Sequence, residues 1–145
     1  MGVKKSGARR SLRKAEYETL AAFRYALRSF LSFSQEAAAG VGLTPQQHQA
    51  LLAVKGFPGR DYVTNGELAE QLQIKHHSAV GLINRLEAQG LLAREQGHSD
   101  KRKVYVTLTR RGTQLLEQLT TAHQDELRQI ASQLGSILAR LSGAS

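Results

Sequence analysis

The segment HHSAVGLINRLEAQG, residues 76–90, decides the fold because its apolar residues recur at helical spacing. They share one buried face of an α-helix, and they are Ala79, Leu82, Ile83 and Leu86. The opposite face carries small and polar residues instead of the Glu and Lys of an ordinary solvated helix, namely His77, Gly81, Asn84 and Ala88. This face is bare enough to approach a partner closely, although a plain polar surface helix fits the segment equally well.

Two helix starts upstream of this segment have the sequence of a capping box. Thr44, followed by Pro45 and Gln47, predicts a helix that runs through QQHQALLAVKG. Thr64 and Glu67 predict a second start, ahead of the short helical segment LAEQLQI. That short helix ends a few residues before the quoted segment, and two short helices joined by a tight turn form a helix-turn-helix.

The chain after Gly90 has the two-residue periodicity of β-strands. The segments GLLARE and KVYVTLT are predicted strands, and the polar, basic turn QGHSDKRK joins them. A hairpin that directly follows a helix-turn-helix is a wing. The stretch DYVT ahead of the second capping box is expected to add a third strand to this small sheet.

Long helices are predicted at both ends of the chain, where apolar stripes lie outside the compact winged-helix unit. The stripes consist of Leu20, Phe23, Leu27, Phe30 and Leu31 near the N-terminus, and of Leu115, Leu116, Leu119, Leu127, Ile130, Leu134, Ile137, Leu138 and Leu141 after Thr109. An exposed stripe of this length is costly, so we expect a second copy of the chain to cover it in a homodimer. A self-contained monomeric bundle is the alternative.

Composition narrows the class of protein. A length of 145 residues predicts one domain with a sizeable core. The absence of cysteine excludes disulfides, thiolate metal sites and thiol-based redox sensing. The sequence has no apolar run long enough to span a membrane, and no hydrophobic segment follows its basic N-terminus. We therefore expect a soluble, cytoplasmic protein without a membrane partner.

The net charge of +8 is unevenly distributed along the chain. Residues 1–14 hold six Lys or Arg residues and no acid, and residues 75–111 hold eight basic residues against three acidic ones. Such a pattern predicts a polyanionic partner. Double-stranded DNA is favoured over an anionic membrane, because no strongly amphipathic basic helix with aromatic anchors is present.

Three blocks of the sequence resemble the MarR family of bacterial transcriptional regulators. They are LTPQQHQALLAV, NGELAEQLQIKHHSAVGLINRLEAQGLLARE and SDKRKVYVTLTRRG, and they occur in the family's order. The most specific part runs from Leu68 to Gly112, with an Asp-x-Arg wing tip, a Leu-Thr strand end and an Arg-Gly helix start. The resemblance covers nearly the whole chain after the basic tail.

The resemblance implies a mainly α fold with a small β-wing, that is, a winged helix-turn-helix with N- and C-terminal dimerisation helices. It also implies a homodimer that binds a near-palindromic operator, usually as a repressor released by a small phenolic or otherwise lipophilic anion. The effector pocket would lie between the dimerisation helices and the winged helix, but no motif marks its residues.

On this interpretation the chain forms a single intertwined domain with four regions. Residues 1–14 form a basic, flexible tail, and residues 15–42 form the N-terminal dimerisation helix. Residues 43–110 form the winged helix-turn-helix, and residues 111–145 form the C-terminal dimerisation helices.

DNA-binding residues are expected at two places. The first is the helix of the quoted segment, whose N-terminus favours phosphate and whose outer face lies in the major groove; its candidates are Lys75, His76, His77, Ser78, Val80, Gly81, Asn84 and Arg85. Within this set, Asn84 can read an adenine edge bidentately and Val80 can contact a thymine methyl. Arg85 is expected either to bind phosphate or to form an ion pair within the chain.

The second place is the wing, where the candidates are Lys101, Arg102 and Lys103. We expect Arg102 to enter the minor groove, with Asp100 either orienting it or tightening the turn. Interchangeable phosphate contacts by the three basic residues are the alternative.

Other chemistries have weaker support in the sequence. Adjacent helical residues point about 100° apart, so His76 and His77 are not expected to chelate one metal ion, and no cofactor is expected. A hydrolase built from His77, Ser78 and Asp100 would lack a nucleophile elbow, so no enzymatic activity is expected. His48 is predicted to be partly buried with satisfied hydrogen bonds. A sequence-tolerant architectural protein and a protein-interaction module remain competing functions.

Overall fold

The computed structural model describes residues 11–97 and 99–143 and has a mainly helical chain with one small sheet. The helices are α1 (Lys14–Gly40), α2 (Pro45–Lys55), α3 (Asn65–Leu72), α4 (His76–Ala88) and α5 (Arg110–Leu141), and the strands are β1 (Tyr62–Val63), β2 (Leu92–Gln96) and β3 (Val104–Leu108). This architecture confirms the predicted fold class. Most of the predicted basic tail, residues 1–10, lies outside the described residues.

Both predicted capping boxes are present. At the start of α2, the Gln47 amide donates to the Thr44 hydroxyl at 3.1 Å, and the Thr44 amide donates to the Gln47 side chain at 3.0 Å. At the start of α3, Glu67 and Thr64 make the same reciprocal pair at 3.2 and 2.8 Å. Each box satisfies two of the backbone amides that a helix start leaves without partners.

The sheet has the strand order β1-β3-β2, and both pairings are antiparallel. Tyr62 lies opposite Thr107 and Val63 opposite Val106, so the stretch DYVT supplies the predicted third strand. On the other side of β3, Arg94 lies opposite Val106, which fixes the face of the hairpin from which the Arg94 side chain extends.

The core holds α4 by the face that its periodicity predicted. Ala79, Leu82, Ile83 and Leu86 are all buried. Buried residues from the other elements complete the same cluster, including Leu51 and Val54 of α2, Leu68 of α3, Leu92 of β2, Val106 of β3, and Leu116 and Leu119 of α5. Because this side of α4 is fixed by apolar packing, its outer face has a defined orientation.

The C-terminal region is one helix, so the expectation of several helices over residues 111–145 was wrong. α5 is continuous from Arg110 to Leu141. Gly112 falls in its first turn, and Gly135 lies in its interior. A glycine in a helix costs only about 1 kcal/mol relative to alanine, which is too little to end a helix that carries a long apolar stripe.

The described residues of one chain form two compact units. The single intertwined domain that was expected stays a prediction. One unit combines the residues up to Leu31 with those from Glu126 onward, and the other runs from Ser32 to Asp125. The boundaries fall inside α1 and α5, so the winged helix includes the adjoining part of each terminal helix. Within the described part of the chain, no helix is both long and apolar enough to cross a membrane.

Candidate nucleic-acid interface

The N-terminus of α4 is the first part of the candidate interface. Lys75 is its N-cap residue, and the Lys75 side chain makes no capping hydrogen bond in the described structure. The residues of the first turn, His76, His77 and Ser78, are exposed. A helix start leaves backbone amides without intrahelical partners and carries a partial positive charge. This end of α4 can therefore accept an anion such as a phosphate.

The outer face of α4 carries the other candidates from the quoted segment. His77 and Asn84 are exposed, and Val80 and Gly81 are half-buried. A Cβ atom added to Gly81 would lie 3.5 Å from Nη1 of Arg85, so the absent side chain leaves space that the Arg85 guanidinium borders. The face is consequently less bare at Gly81 than its sequence suggested.

An ion pair within the chain was one of the two roles expected for Arg85, and the described structure shows no such pair. Within residues 11–97 and 99–143, the ion pairs with a carboxylate involve other cations, and none involves Arg85. Its exposed guanidinium lies beside Gly81 on the outer face of α4 and adds positive charge to this surface. This geometry favours the other expected role, contact with phosphate.

Asn84 is linked to the hairpin by a contact that sequence reasoning missed. Nη2 of Arg94, on β2, donates to Oδ1 of Asn84 at 2.6 Å, and Nη1 of the same guanidinium pairs with Glu87. The three residues lie on two elements that meet only after the chain turns at Gly90. The opposite charges of Glu87 and Arg94 on either side of that turn are the only signal in the sequence.

The wing tip is organised by Asp100. Oδ1 of Asp100 accepts hydrogen bonds from the backbone amide of Arg102 at 3.0 Å and from its Nε at 3.3 Å. These two contacts lower the pKa of Asp100 below its ordinary value, the backbone contact being the stronger cause. Asp100 therefore both tightens the turn and orients Arg102, whose side chain is 92% exposed.

The hairpin turn also depends on close backbone approaches. The Gly97 amide donates to the Lys103 carbonyl at 2.8 Å, and the Lys103 amide donates to the Asp100 carbonyl at 3.1 Å. A Cβ atom at Gly97 would lie 2.6 Å from the Asp100 carbonyl oxygen, so only glycine fits there. Lys101 and Lys103 are exposed next to Arg102. The wing thus presents three basic side chains on a fixed turn.

A buried histidine pair lies within the same compact unit, away from the exposed face of α4. His48 is only 2% exposed, and its ring centroid lies 4.9 Å from that of His123. His123 contacts the Leu119 carbonyl through Nδ1 and the Ser34 hydroxyl through Nε2. Nδ1 of His48 is buried without a hydrogen-bond partner among the described residues, so the prediction of a satisfied histidine was wrong.

Burial, followed by the charge of His123, lowers the pKa of His48 below its ordinary value of about 6.5. Its ring is therefore uncharged at neutral pH. Among the described residues, no group of three or more side chains could hold a metal ion. This holds around His48 and His123 and also around His76 and His77.

Comparison with known proteins gives matches to one family of regulators. The MarR family model matches residues 41–103. The homoprotocatechuate degradative operon repressor of Escherichia coli is 32% identical over 91 residues, which cover 63% of this chain and 60% of that protein. AbsC, a MarR family transcriptional regulator from Streptomyces coelicolor, has the same fold with a TM-score of 0.70 and 22% identity, over 94% of this chain and 93% of AbsC. Residues 41–103 of this chain therefore match the MarR family.

A structure bound to DNA is also similar to this chain. A mutant of MepR from Staphylococcus aureus, bound to an oligodeoxyribonucleotide, has a TM-score of 0.68 and 20% identity, over 88% of this chain and 96% of MepR. At 20% sequence identity, this structural similarity establishes a shared fold and nothing further. The names of the three relatives are those of regulators and none denotes an enzyme, in agreement with the absence of a catalytic constellation from the sequence.

Proposed function

We propose that this protein is a sequence-specific double-stranded DNA-binding transcriptional regulator of the MarR family. It acts as a repressor that binds a near-palindromic operator as a homodimer and responds to a small-molecule effector. The observation that carries the proposal is the outer face of α4, which is fixed by a fully buried inner face and begins at a helix N-terminus with exposed polar side chains. B-DNA has a major groove about 12 Å wide, which admits one α-helix.

Within that arrangement the residues of α4 divide by position. Lys75, His76 and Ser78 surround the helix start and contact phosphates, which set the register of the protein on the duplex. Base edges are reached by residues of the outer face, namely His77, Val80, Gly81 and Asn84. Arg85 binds phosphate, since it has no carboxylate partner among the described residues.

The wing supplies a second contact, in the minor groove. The Asp100 contacts hold the backbone and the Nε atom of Arg102 while its terminal nitrogens stay exposed on the hairpin. An arginine on a narrow hairpin can enter a minor groove that A·T-rich sequence narrows and makes more negative. Lys101 and Lys103 contact the flanking phosphates.

Two relatives lend support from their names. The Escherichia coli protein is named as an operon repressor, and the structure of the MepR mutant is bound to an oligodeoxyribonucleotide. The aligned segment spans about three-fifths of the repressor, so its activity is evidence for a proposal about this chain and no more.

The homodimer part of the proposal rests on apolar faces of the terminal helices. Leu20, Leu27 and Leu31 share one face of α1, and Leu127, Leu138 and Leu141 share one face of α5. All six are exposed, by between 36% and 54% of their surface. A contiguous exposed apolar surface marks an interaction site, and a second copy of the same chain covers it with a symmetric, self-complementary interface.

The dimer can be tested by placing charge on that surface. Leu127→Glu combined with Leu138→Glu should convert a dimer to a monomer in sedimentation velocity and weaken operator binding, because two half-sites would no longer be linked. The control is Leu52→Glu, which alters a leucine on α2 that is exposed to a similar degree, 41%. The control should stay dimeric. A monomeric wild type, or a double variant that stays dimeric, would contradict the interface.

Selection from a random DNA pool, followed by footprinting, tests the regulatory function itself. A regulator should enrich one motif with two half-sites about one helical turn apart. A sequence-tolerant architectural protein, the competing function that the net charge of +8 also suits, would bind the pool without enriching any motif. Titrating the protein–operator complex with small phenolic acids then tests the effector, which should raise the Kd for the operator.

A further inference from the structure

We propose that Arg94 is a positioning residue that turns Asn84 into a hydrogen-bond donor toward DNA, so that Asn84 selects guanine instead of adenine. The inference rests on the proposed function, because it assumes that α4 lies in the major groove. It concerns Asn84, a residue of the outer face whose side chain is bonded to a neighbouring element, the strand β2. It also replaces the bidentate adenine contact that the sequence alone suggests for an asparagine.

The geometry begins with a forked contact. The planar guanidinium of Arg94 donates to Oδ1 of Asn84 at 2.6 Å through Nη2, while Nη1 pairs with Glu87 one helical turn further along α4. Two bonds made by one rigid, planar group fix its plane as well as its position. The Arg94 side chain is 26% exposed, and its contacts with Asn84 and Glu87 lie at the protein surface.

This contact determines which end of the Asn84 amide meets a partner. The carboxamide oxygen accepts from a charged donor, and such bonds are stronger than bonds between neutral groups. The amide nitrogen, with its two N–H donors, remains on the exposed face of α4. Asn84 therefore presents donors outward.

The major-groove edges of the bases respond differently to such a group. Adenine offers an N7 acceptor and an N6 donor, so a bidentate contact to adenine needs the amide oxygen as an acceptor. Guanine offers two neighbouring acceptors, N7 and O6, which suit the two donors of one amide nitrogen. With Arg94 in place, the N6 donor of adenine would have to share Oδ1 of Asn84 with the Arg94 guanidinium or displace the guanidinium from it. A preference for guanine of about tenfold or more follows from the strength of that bond.

A merely structural role for Arg94 would have different consequences. The pair between Arg94 and Glu87 links β2 to α4 whatever Asn84 does, so its loss would lower stability and weaken binding to all sequences alike. Only the positioning role changes the base selected at a single position. The base preference, measured separately from affinity and melting temperature, is therefore the decisive readout.

The experiment is selection from a random DNA pool with the full-length chain and four variants. Asn84→Ala identifies the Asn84 position, where the preference should vanish. The wild type should enrich guanine there, and Arg94→Met should shift the preference to adenine while the rest of the motif stays unchanged. Arg94→Met in the Asn84→Ala background should match Asn84→Ala alone. The control is Arg60→Met, which removes an arginine of similar exposure, 27%, that pairs with Glu67 and lies outside the proposed interface, and which should keep the guanine preference.

The possible outcomes separate this inference from the proposed function. A wild type that enriches no motif removes both. An ordinary motif with adenine at the Asn84 position, or one where guanine persists in Arg94→Met, removes the inference and leaves the regulator intact. If Arg94→Met melts too early for selection, Arg94→Lys keeps the charge beside Glu87 without the fork, and it should still lose at least part of the guanine preference. Unchanged guanine selection in that variant would also overturn the proposal.

Discussion

Gly112 is the position where the smallest substitution should have the clearest effect on stability. A Cβ atom added there would lie 2.1 Å from the carbonyl oxygen of Leu91, whereas carbon and oxygen atoms normally approach to about 3.3 Å. The first turn of α5 would have to move by about 1 Å away from the start of β2, at a cost of roughly 1 to 3 kcal/mol for overpacking.

Two further terms modify that cost. The movement would stretch the hydrogen bond from the Thr109 amide to the Leu91 carbonyl, now 3.0 Å long, at a loss of about 1 kcal/mol. The higher helix propensity of alanine would return at most about 1 kcal/mol. We therefore expect Gly112→Ala to destabilise the protein by about 2 kcal/mol, which lowers the melting temperature by about 6 °C for a chain of this length.

Thermal unfolding followed by circular dichroism, at one fixed protein concentration, measures this shift. Gly66→Ala is the matched control, because Gly66 also lies near the start of a helix. Apart from its chain neighbours and the backbone of its own helix, no described heavy atom lies within 4 Å of its added Cβ. The control should melt at the wild-type temperature or slightly above it. If Gly112→Ala behaves like Gly66→Ala, the close approach of α5 to Leu91 does not hold and the reasoning is refuted.

Three further predictions concern pH, the wing and oxidation. Because burial lowers the pKa of His48 in the folded protein, the unfolded state takes up a proton first as the pH falls, so the free energy of unfolding should decrease below about pH 6.5. In urea titrations, His48→Leu should lose part of this pH dependence. A variant with the same pH dependence as the wild type would contradict the prediction. Arg102→Ala should weaken binding to operator DNA by roughly 1 to 3 kcal/mol and relax discrimination at the outer A·T positions. In fluorescence titrations, Lys101→Ala should weaken binding to all sequences alike and reduce the slope of log affinity against log salt concentration by about one. If the two variants behave identically, the wing binds only through its charge. Mild peroxide should leave DNA affinity unchanged, since the chain has no cysteine and Met1 is its only sulfur-bearing residue; a direct, reversible loss of binding would refute this.

The elements of the fold could be predicted where the deciding interactions are local in sequence. The capping boxes at Thr44 and Thr64 join residues three positions apart, so the residue types alone specify them. The buried face of α4 follows from a helical period within one segment. The pairing of the DYVT segment with β3 joins residues far apart in the sequence. It could still be predicted, because DYVT lies directly ahead of a capping box and close to the predicted hairpin in the fold.

The missed features of the site depend on contacts between elements. Asn84 and Arg94 meet only because β2 folds back along α4, and their spacing of ten residues has no meaning in either a helical or a strand period. The unsatisfied Nδ1 of His48 depends on how α1, α2 and α5 surround the ring, and one helical segment does not contain that information. Sequence reasoning therefore identified Asn84 as a candidate but did not predict that Arg94 bonds to its amide oxygen.

The Arg-Gly helix start in the sequence acquires a physical meaning from the same kind of contact. The Thr109 hydroxyl donates to the Gly90 carbonyl at 2.6 Å and accepts from the Gly112 amide at 3.0 Å, and Nη1 of Arg111 donates to the Gln89 carbonyl at 2.9 Å. The start of α5 is thereby bonded to the residues that end α4. Because the added methyl of Gly112→Ala would separate these two ends, the variant should also displace α4 relative to the wing, so its operator affinity should fall by more than its melting temperature alone explains.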